Sequence, residues 1–219
     1  MTRLQRTTFR TSRAAQYVEA RDLQTMTGQP KGKFAGVVVK ELMDNALDAC
    51  ETVRVDPEIT LTVEEDWDDL SVRITVSDNA GGIPSDTVRG ALDFDVLVSD
   101  KAAYRSPTRG AQGNALKTVF GIPYALGSHT PVVVEARGTR YEARVWKDPA
   151  GELRAECDES ESERTGGTSI TVAVPWEGCS GFCPTYWAQA CSLSYFPARF
   201  QSSQGDFDAG LTARCGTHG

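Results

Sequence analysis

Residues 40 to 50, KELMDNALDAC, constrain this chain more than any other stretch, because they place two carboxylates and an amide along one wall of an apolar helix. At ~100° of rotation per residue, with Glu41 as zero, Asn45 falls at about +40° and Asp48 at about −20°. Val39, Met43, Ala46, Leu47 and Cys50 gather on roughly the opposite side, so one side can be buried while the other faces a cavity. An ordinary amphipathic helix with a solvated acidic face would share this pattern. Asn45 is the discordant residue: an exposed face gains nothing from a mediocre helix former, whereas an amide oxygen is a good ligand for a hard cation. The wall is therefore a candidate metal-binding surface.

With 219 residues the chain can bury roughly 70% of its unfolded surface, which suits one substantial core. A net charge of −7 argues against a chain that grips nucleic acid by itself, since neutralising phosphates needs clustered Lys and Arg. No apolar run approaches the ~18 to 20 residues of a membrane span, and the N-terminus lacks the apolar segment of a signal peptide, so no membrane contact and a cytoplasmic location are expected. Cys50, Cys157, Cys179, Cys183, Cys191 and Cys215 are scattered and read as reduced thiols. Cys179, Cys183, Cys191, Cys215 and His218 offer soft zinc ligands, but their spacing does not match a compact zinc knuckle.

Residues 1–30 read as an N-terminal arm, with Arg3, Arg6, Arg10 and Arg13 leading into a short amphipathic helix around 14–23. Such an arm packs either on a partner subunit or on its own domain. The Gly28, Pro30 and Gly32 cluster then breaks the chain before the main helix, which starts near Phe34. Alternation predicts strands at 59–63 and 71–76 around the acidic turn EEDWDD, and a helix follows over 85–94. Residues 95–112 form a long connection, and a helix begins near Gly113 and runs to about Phe120. Strands follow at 132–136, 139–146, 153–157 and 168–175, with DESESERTGG as a solvated hairpin tip, then a helix over 186–195 and a short strand at 198–201. The order implies an α/β two-layer sandwich, a mixed and mostly antiparallel sheet with helices on one face, in one domain spanning 31–219. The finish at Gly219, without a closing element, reads as part of a longer protein.

Three further segments carry chemistry. In DNAGGIP, Asp78 ends a strand and can accept from an exocyclic amine, while Gly81 and Gly82 let a flat ring lie against bare backbone. A plain strand-to-helix turn uses the same residues. In TRGAQGNALKT, Gly110 and Gly113 precede a helix whose N-terminus can cradle anionic oxygens, with Arg109 and Lys117 adding charge; the spacing is not that of a Walker loop. Solvated cations beside a glycine-rich loop are the competing reading. Thr168, after Gly166 and Gly167, offers a hydroxyl that can join Asp78.

Taken in order, KELMDNALDAC, VSDNAGGIP, RGAQGNALK and GTSI resemble the GHKL superfamily of ATP-binding domains, which have the Bergerat fold. Within it the B subunit of topoisomerase VI is the most similar, over roughly residues 9–204: TRGAQGNALK is similar to its arginine-glycine loop, and WAQACSLSYFPARF looks like its late helix, turn and strand. The resemblance implies that Glu41 is the general base that activates water and that Asn45 ligates Mg²⁺. It implies that Asp78 reads the adenine amine with Thr168 beside it, and that Gly82 lines the base pocket next to Ile83. Arg109, Gly110, Ala111, Gln112, Gly113, Asn114 and Ala115 would close on the triphosphate, with Asp48, Lys117 and the lid residue Lys101 as further nucleotide contacts. Ala80 and Ala115 stand where the family pattern has glycine, which implies tighter backbone approach and weaker or altered binding.

A histidine kinase has no need of a water-activating base, so Glu41 favours hydrolysis. The leading expectation is a Mg²⁺-dependent ATPase module that dimerises on binding ATP, as a gate in a type IIB topoisomerase-like, DNA-handling machine. An A-type nuclease subunit and DNA would be reached through other regions. No lysine-bearing transducer segment is present, so turnover by this chain alone is expected to be slow or absent. The alternative is an ATP-sensing regulatory or defence module with little hydrolysis, and a purely structural use of the fold ranks last.

Overall fold

The computed structural model describes residues 14–94, 115–181, 198–202 and 205–208, the last two stretches as backbone. It is a mixed α/β sandwich. One sheet in the order β5-β4-β3-β6-β2-β1-β7-β8 is covered by helices. Its strands are β1 (Ile59–Asp66), β2 (Ser71–Ser77), β3 (Val132–Ala136), β4 (Thr139–Lys147), β5 (Leu153–Glu161), β6 (Thr168–Pro175), β7 (Ala198–Ser202) and β8 (Gly205–Asp208). Neighbours run antiparallel except β1 and β7, which are parallel. The expected fold class is therefore the observed one.

The helices are α1 (Ala20–Thr27), α2 (Phe34–Val53), α3 (Ser85–Leu92) and α4 (Ala115–Ala125). In α2 the 3.6-residue period puts Val38, Val39, Leu42, Met43, Ala46, Leu47 and Cys50 into the core. Each large member of that row contributes ~1.5 to 3 kcal/mol of apolar burial. The helix lies across β1, β2 and β6, while α4 lies across β4 and β6 and packs on α2. It ends where Arg54 turns left-handed (φ 58) and its N–H caps the carbonyls of Cys50 and Glu51.

The sheet face away from the helices is polar in the central strands. Thr75 and Ser77 on β2 pair across to Thr171 and Ser169 on β6, with hydroxyls 2.9 and 2.8 Å apart. Ile74, Val76, Ile170, Val172 and Val174 point the other way, into the core. This one-sided alternation makes the central strands legible, and a one-residue slip would invert every side chain.

Four details differ from the sequence expectation. The stretch over 14–23 is a 3₁₀ turn (Ala14–Tyr17) followed by α1, and Tyr17, Val18 and Leu23 join the same core as α2. The acidic insert DESESERTGG is not all hairpin tip, because β5 continues to Glu161, paired with Thr139. An edge strand wetted on both faces needs no apolar alternation, so its composition resembles a loop. α4 runs five residues past its expected end at Phe120, carrying Pro123 inside its last turn, and β8 has no counterpart in the expectation. The helix expected over 186–195 lies outside the described residues.

Candidate functional site

The end of β2 and the start of β6 bring Asp78, Gly82, Ile83 and Thr168 together, while Glu41, Asn45 and Asp48 are carried on α2. β2 and β6 are antiparallel neighbours, so the residue after β2 meets the residue opening β6: Asp78 N–H donates to Thr168 O at 2.9 Å. Asp78 is nearly enclosed, at 9% exposure. Its Oδ1 accepts from Ala80 N–H (2.9 Å) and Thr168 N–H (3.1 Å). The Thr168 hydroxyl accepts from Ile83 N–H at 3.0 Å and donates to the Asp78 carboxylate. Burial pushes the Asp78 carboxyl above its usual range, and the Ala80 and Thr168 hydrogen bonds and the Arg164 charge oppose that rise. A carboxylate held this way has a fixed direction and a strong need for an outside donor.

Two glycines create the space. Gly82 has φ +75, and a Cβ there would stand 3.0 Å from Gly167 O. Gly167 has φ +66, and its Cβ would fall 1.9 Å from Asp78 O, inside the carbonyl. Only glycine allows these two backbones to touch. Ala80 is different. It is not among the residues with positive φ, and it joins the turn through Gly167 N–H donating to Ala80 O at 2.9 Å. Replacing a glycine here carries no backbone strain.

Two arginines that the sequence reading passed over brace this turn. Arg137, itself at φ 53, donates from Nε to Gly81 O (3.1 Å) and Gly82 O (2.9 Å). Arg164 reaches Ser77 Oγ and Gly166 O, at 3.4 and 3.5 Å. The signal available in the sequence was the Arg-Gly hairpin turn at 137–138, but nothing local says that it meets residue 82. Asn79 anchors the other side, accepting at Oδ1 from Glu58 N–H (3.0 Å) and Cys50 Sγ–H (3.4 Å) and donating to Asp56 O (3.0 Å).

On α2, Glu41, Asn45 and Asp48 share one wall, as the helical period requires. Glu41 is partly exposed, and its Oε1 accepts from Lys40 Nζ at 3.1 Å, while Lys40 also pairs with Asp44 at 3.0 Å. Burial works against the Lys40 charge, but Asp44 and Glu41 outweigh it and hold the ammonium above its usual range. Asp48 is buried. Asn45 Nδ2 is buried with no hydrogen-bond partner among the described residues. A buried amide group left unpaired is destabilising by ~1 to 3 kcal/mol, which singles this one out on the wall of α2.

Lys117 is fully buried on α4. Its ammonium donates to Asp93 O at the end of α3 and lies 5.8 Å from the centre of the Phe94 ring. Ala115 opens α4. Lys101, Arg109, Gly110, Ala111, Gln112, Gly113 and Asn114 lie outside the described residues. Of the candidate zinc ligands only Cys179 is described. Its thiol faces Val174 O and Pro175 O, and burial pushes it up to about 12. Among the described residues no three His, Cys, Asp or Glu side chains are grouped to hold a metal, and no helix is long and apolar enough to cross a membrane.

The end of β2 thus carries a buried carboxylate beside a glycine turn. Residues 32–178 match the histidine kinase-, DNA gyrase B-, and HSP90-like ATPase domain. The chain belongs to this family. A comparison with curated proteins gives no match. The matched stretch runs from the start of α2 to just past β6 and so contains Glu41, Asn45, Asp78, Gly82, Lys117 and Thr168. As a GHKL ATPase domain the chain binds ATP, and ATP hydrolysis is the activity for which the family is named.

Proposed function

We propose that this domain is a Mg²⁺-dependent ATPase of the topoisomerase VI B type, which dimerises on binding ATP and gates a DNA-handling machine. The observation that carries the reading is the Asp78 carboxylate, held by Ala80 and Thr168 next to two positive-φ glycines, of which Gly167 has its Cβ position filled by the Asp78 carbonyl. This site suits a planar base with an exocyclic amine: Asp78 accepts the amine and Gly82 leaves room for the ring. The unpaired Asn45 amide fits a metal–phosphate group, since the two ends of an amide are interchangeable by a flip. Bound Mg-ATP would supply the phosphoryl bond to be broken and the charge neutralisation around it.

In this reading Asn45 holds the metal and Asp48 stands beside it on the wall. Arg109 through Ala115, with Lys117 and Lys101, enclose the phosphates. Glu41 takes the proton of the attacking water at Oε2, because Oε1 is engaged by Lys40. The net charge of −7 assigns any DNA contact, and the A-type nuclease subunit, to other regions. Residues 31–219 form the ATP-binding domain behind an arm at 1–30. Replacing Glu41 by Gln should abolish phosphate release and spare ATP binding by calorimetry, and sedimentation should show dimers with a non-hydrolysable analogue and monomers with ADP. Equal phosphate release from the variant would overturn the role of Glu41.

One observation favours a second reading, an ATP-sensing regulatory or defence module with little hydrolysis. Glu41 is tied to Lys40, which is tied to Asp44. Tight ATP binding without phosphate release, in the longest natural form of the protein, would support sensing over turnover.

A further inference from the structure

The tip of the β1–β2 hairpin carries apolar surface that neither the core nor the nucleotide end uses. Trp67 is 67% exposed and Leu70 57%. The Trp67 ring stands edge-on to Trp176 with centroids 4.6 Å apart. Trp176 is fixed in turn, with Nε1 donating to Ser71 O (3.2 Å) and its backbone N–H to Leu70 O (3.0 Å). Leu70 has φ 47, the left-handed conformation that turns ordinarily give to Gly or Asn and that costs a leucine ~1 to 2 kcal/mol. A strained leucine left in water does nothing for the folded domain by itself.

The rim of this patch is acidic. Glu64, Glu65, Asp68 and Asp69 are exposed and make no ion pair among the described residues. Arg73 is already paired with Asp66 at 3.0 Å, and Lys31 with Glu177 beside Trp176. Such a rim repels phosphate backbones and anionic lipid, and it attracts a cationic protein segment that can also offer apolar side chains.

We propose that residues 1–13 of the same chain dock on this tip. In a chain of net charge −7, the segment MTRLQRTTFRTSR has Arg3, Arg6, Arg10 and Arg13, no acidic residue, and Leu4 and Phe9 as anchors. Its length suits docking within one molecule. From Ala14 the chain passes through one 3₁₀ turn and α1, a helix ~12 Å long, and shortly afterwards reaches Lys31, which is paired with Glu177 at the patch. The segment can span ~43 Å when extended, enough to double back along α1. The tip lies at the opposite end of β2 from Asp78, ~20 Å away, so docking leaves the nucleotide end open.

The test uses the full chain with Trp67 replaced by the photoreactive residue benzoylphenylalanine. Irradiation should give an adduct within single chains, independent of protein concentration, that maps to residues 1–13 and disappears in the R3E/R6E/R10E variant. An adduct joining two chains, an adduct mapping elsewhere, or no adduct overturns the proposal. A second measurement needs no label. Trypsin should cut after Arg6 and Arg10 about five- to tenfold faster in W67A/L70N than in the wild type, the ratio that follows loss of a contact worth ~1 to 1.4 kcal/mol. An unchanged rate also overturns it.

Discussion

Gly167→Ala is the most severe single-atom change available at the nucleotide end, and its effect can be worked out from two contacts. The added Cβ would lie 1.9 Å from Asp78 O and 2.8 Å from Asp78 C, in a residue held at φ +66. The left-handed conformation costs ~1 to 2 kcal/mol for a non-glycine residue. Overpacking against backbone adds ~1 to 3 kcal/mol, because a carbonyl cannot rotate away as a side-chain tip can. For a domain of this size ~2 to 5 kcal/mol corresponds to a fall of roughly 5 to 15 °C in melting temperature. Relief of the overlap must move Asp78 away from Thr168, whose N–H is bonded to its Oδ1 at 3.1 Å. Losing one charge-assisted hydrogen bond is worth ~1.5 to 3 kcal/mol, so ATP affinity should fall roughly 10- to 150-fold. Calorimetric melting and isothermal titration with ATP measure both. Gly166→Ala is the control, since nothing lies within 4 Å of a Cβ there, and it should match the wild type within ~0.5 kcal/mol. Wild-type melting and binding by Gly167→Ala would refute the close approach, and equal losses in both variants would show only that the strand start resists change.

Other expectations follow from neighbouring contacts. Arg137→Ala frees the carbonyls of Gly81 and Gly82 and should weaken ATP binding about 3- to 10-fold while leaving inorganic triphosphate binding unchanged, as two exposed hydrogen bonds are worth ~0.5 to 1.5 kcal/mol in total; equal losses for both ligands would contradict a base-side role. Burial, with the Asp78 charge adding to it, pushes the Cys50 thiol from 9.0 up to about 11. Between those values the unfolded chain has lost a proton that the native state keeps, so stability is intact below pH 9 and declines as pH rises toward 11. Denaturant titrations from pH 8 to 11 should show this slope, and Cys50→Ala should flatten it. Lys40→Met releases Glu41 from its ion pair; if that pair restrains hydrolysis, phosphate release should rise severalfold with ATP affinity unchanged, and an unchanged rate would exclude the restraint.

How much of this was legible in the sequence depends on sequence separation. The wall of Glu41, Asn45 and Asp48 is set by local helical period, and α2 displays it as read. The strands with one wet and one dry face, β2 and β6, were equally readable from alternation. β5 was readable only over 153–157, because the rest of an edge strand exposed on both sides has the composition of a loop. The site's finest features were hidden for another reason. Gly167 against Asp78 O and Arg137 against Gly82 O are meetings of residues far apart in the chain, created by the β2–β6 and β3–β6 registers. A sequence shows the glycine and the arginine but not what they approach. At Ala80, where the family pattern has glycine, the backbone has no positive φ, so the alanine adds no backbone strain to the turn.

The contrast among Ala80, Gly82 and Gly167 gives the glycine pattern a physical meaning. Glycine is needed where φ is positive or where another backbone occupies the Cβ position; both conditions hold at 167, and at 82 φ is positive and a Cβ would crowd Gly167 O at 3.0 Å. Neither reason applies to φ at 80, where the N–H that bonds Asp78 Oδ1 is present in any residue but proline. Asp78 is therefore oriented by main-chain groups, and side-chain drift along DNAGGIP can proceed without moving the carboxylate. Substitutions that leave those N–H groups in place should preserve base recognition even when they erase the family's visible motif. The part of the site that must be conserved in kind is the pair of contacts made from β6, Gly167 on the Asp78 carbonyl and Thr168 on its carboxylate. These lie some ninety residues downstream, where a motif centred on Asp78 would not look for them.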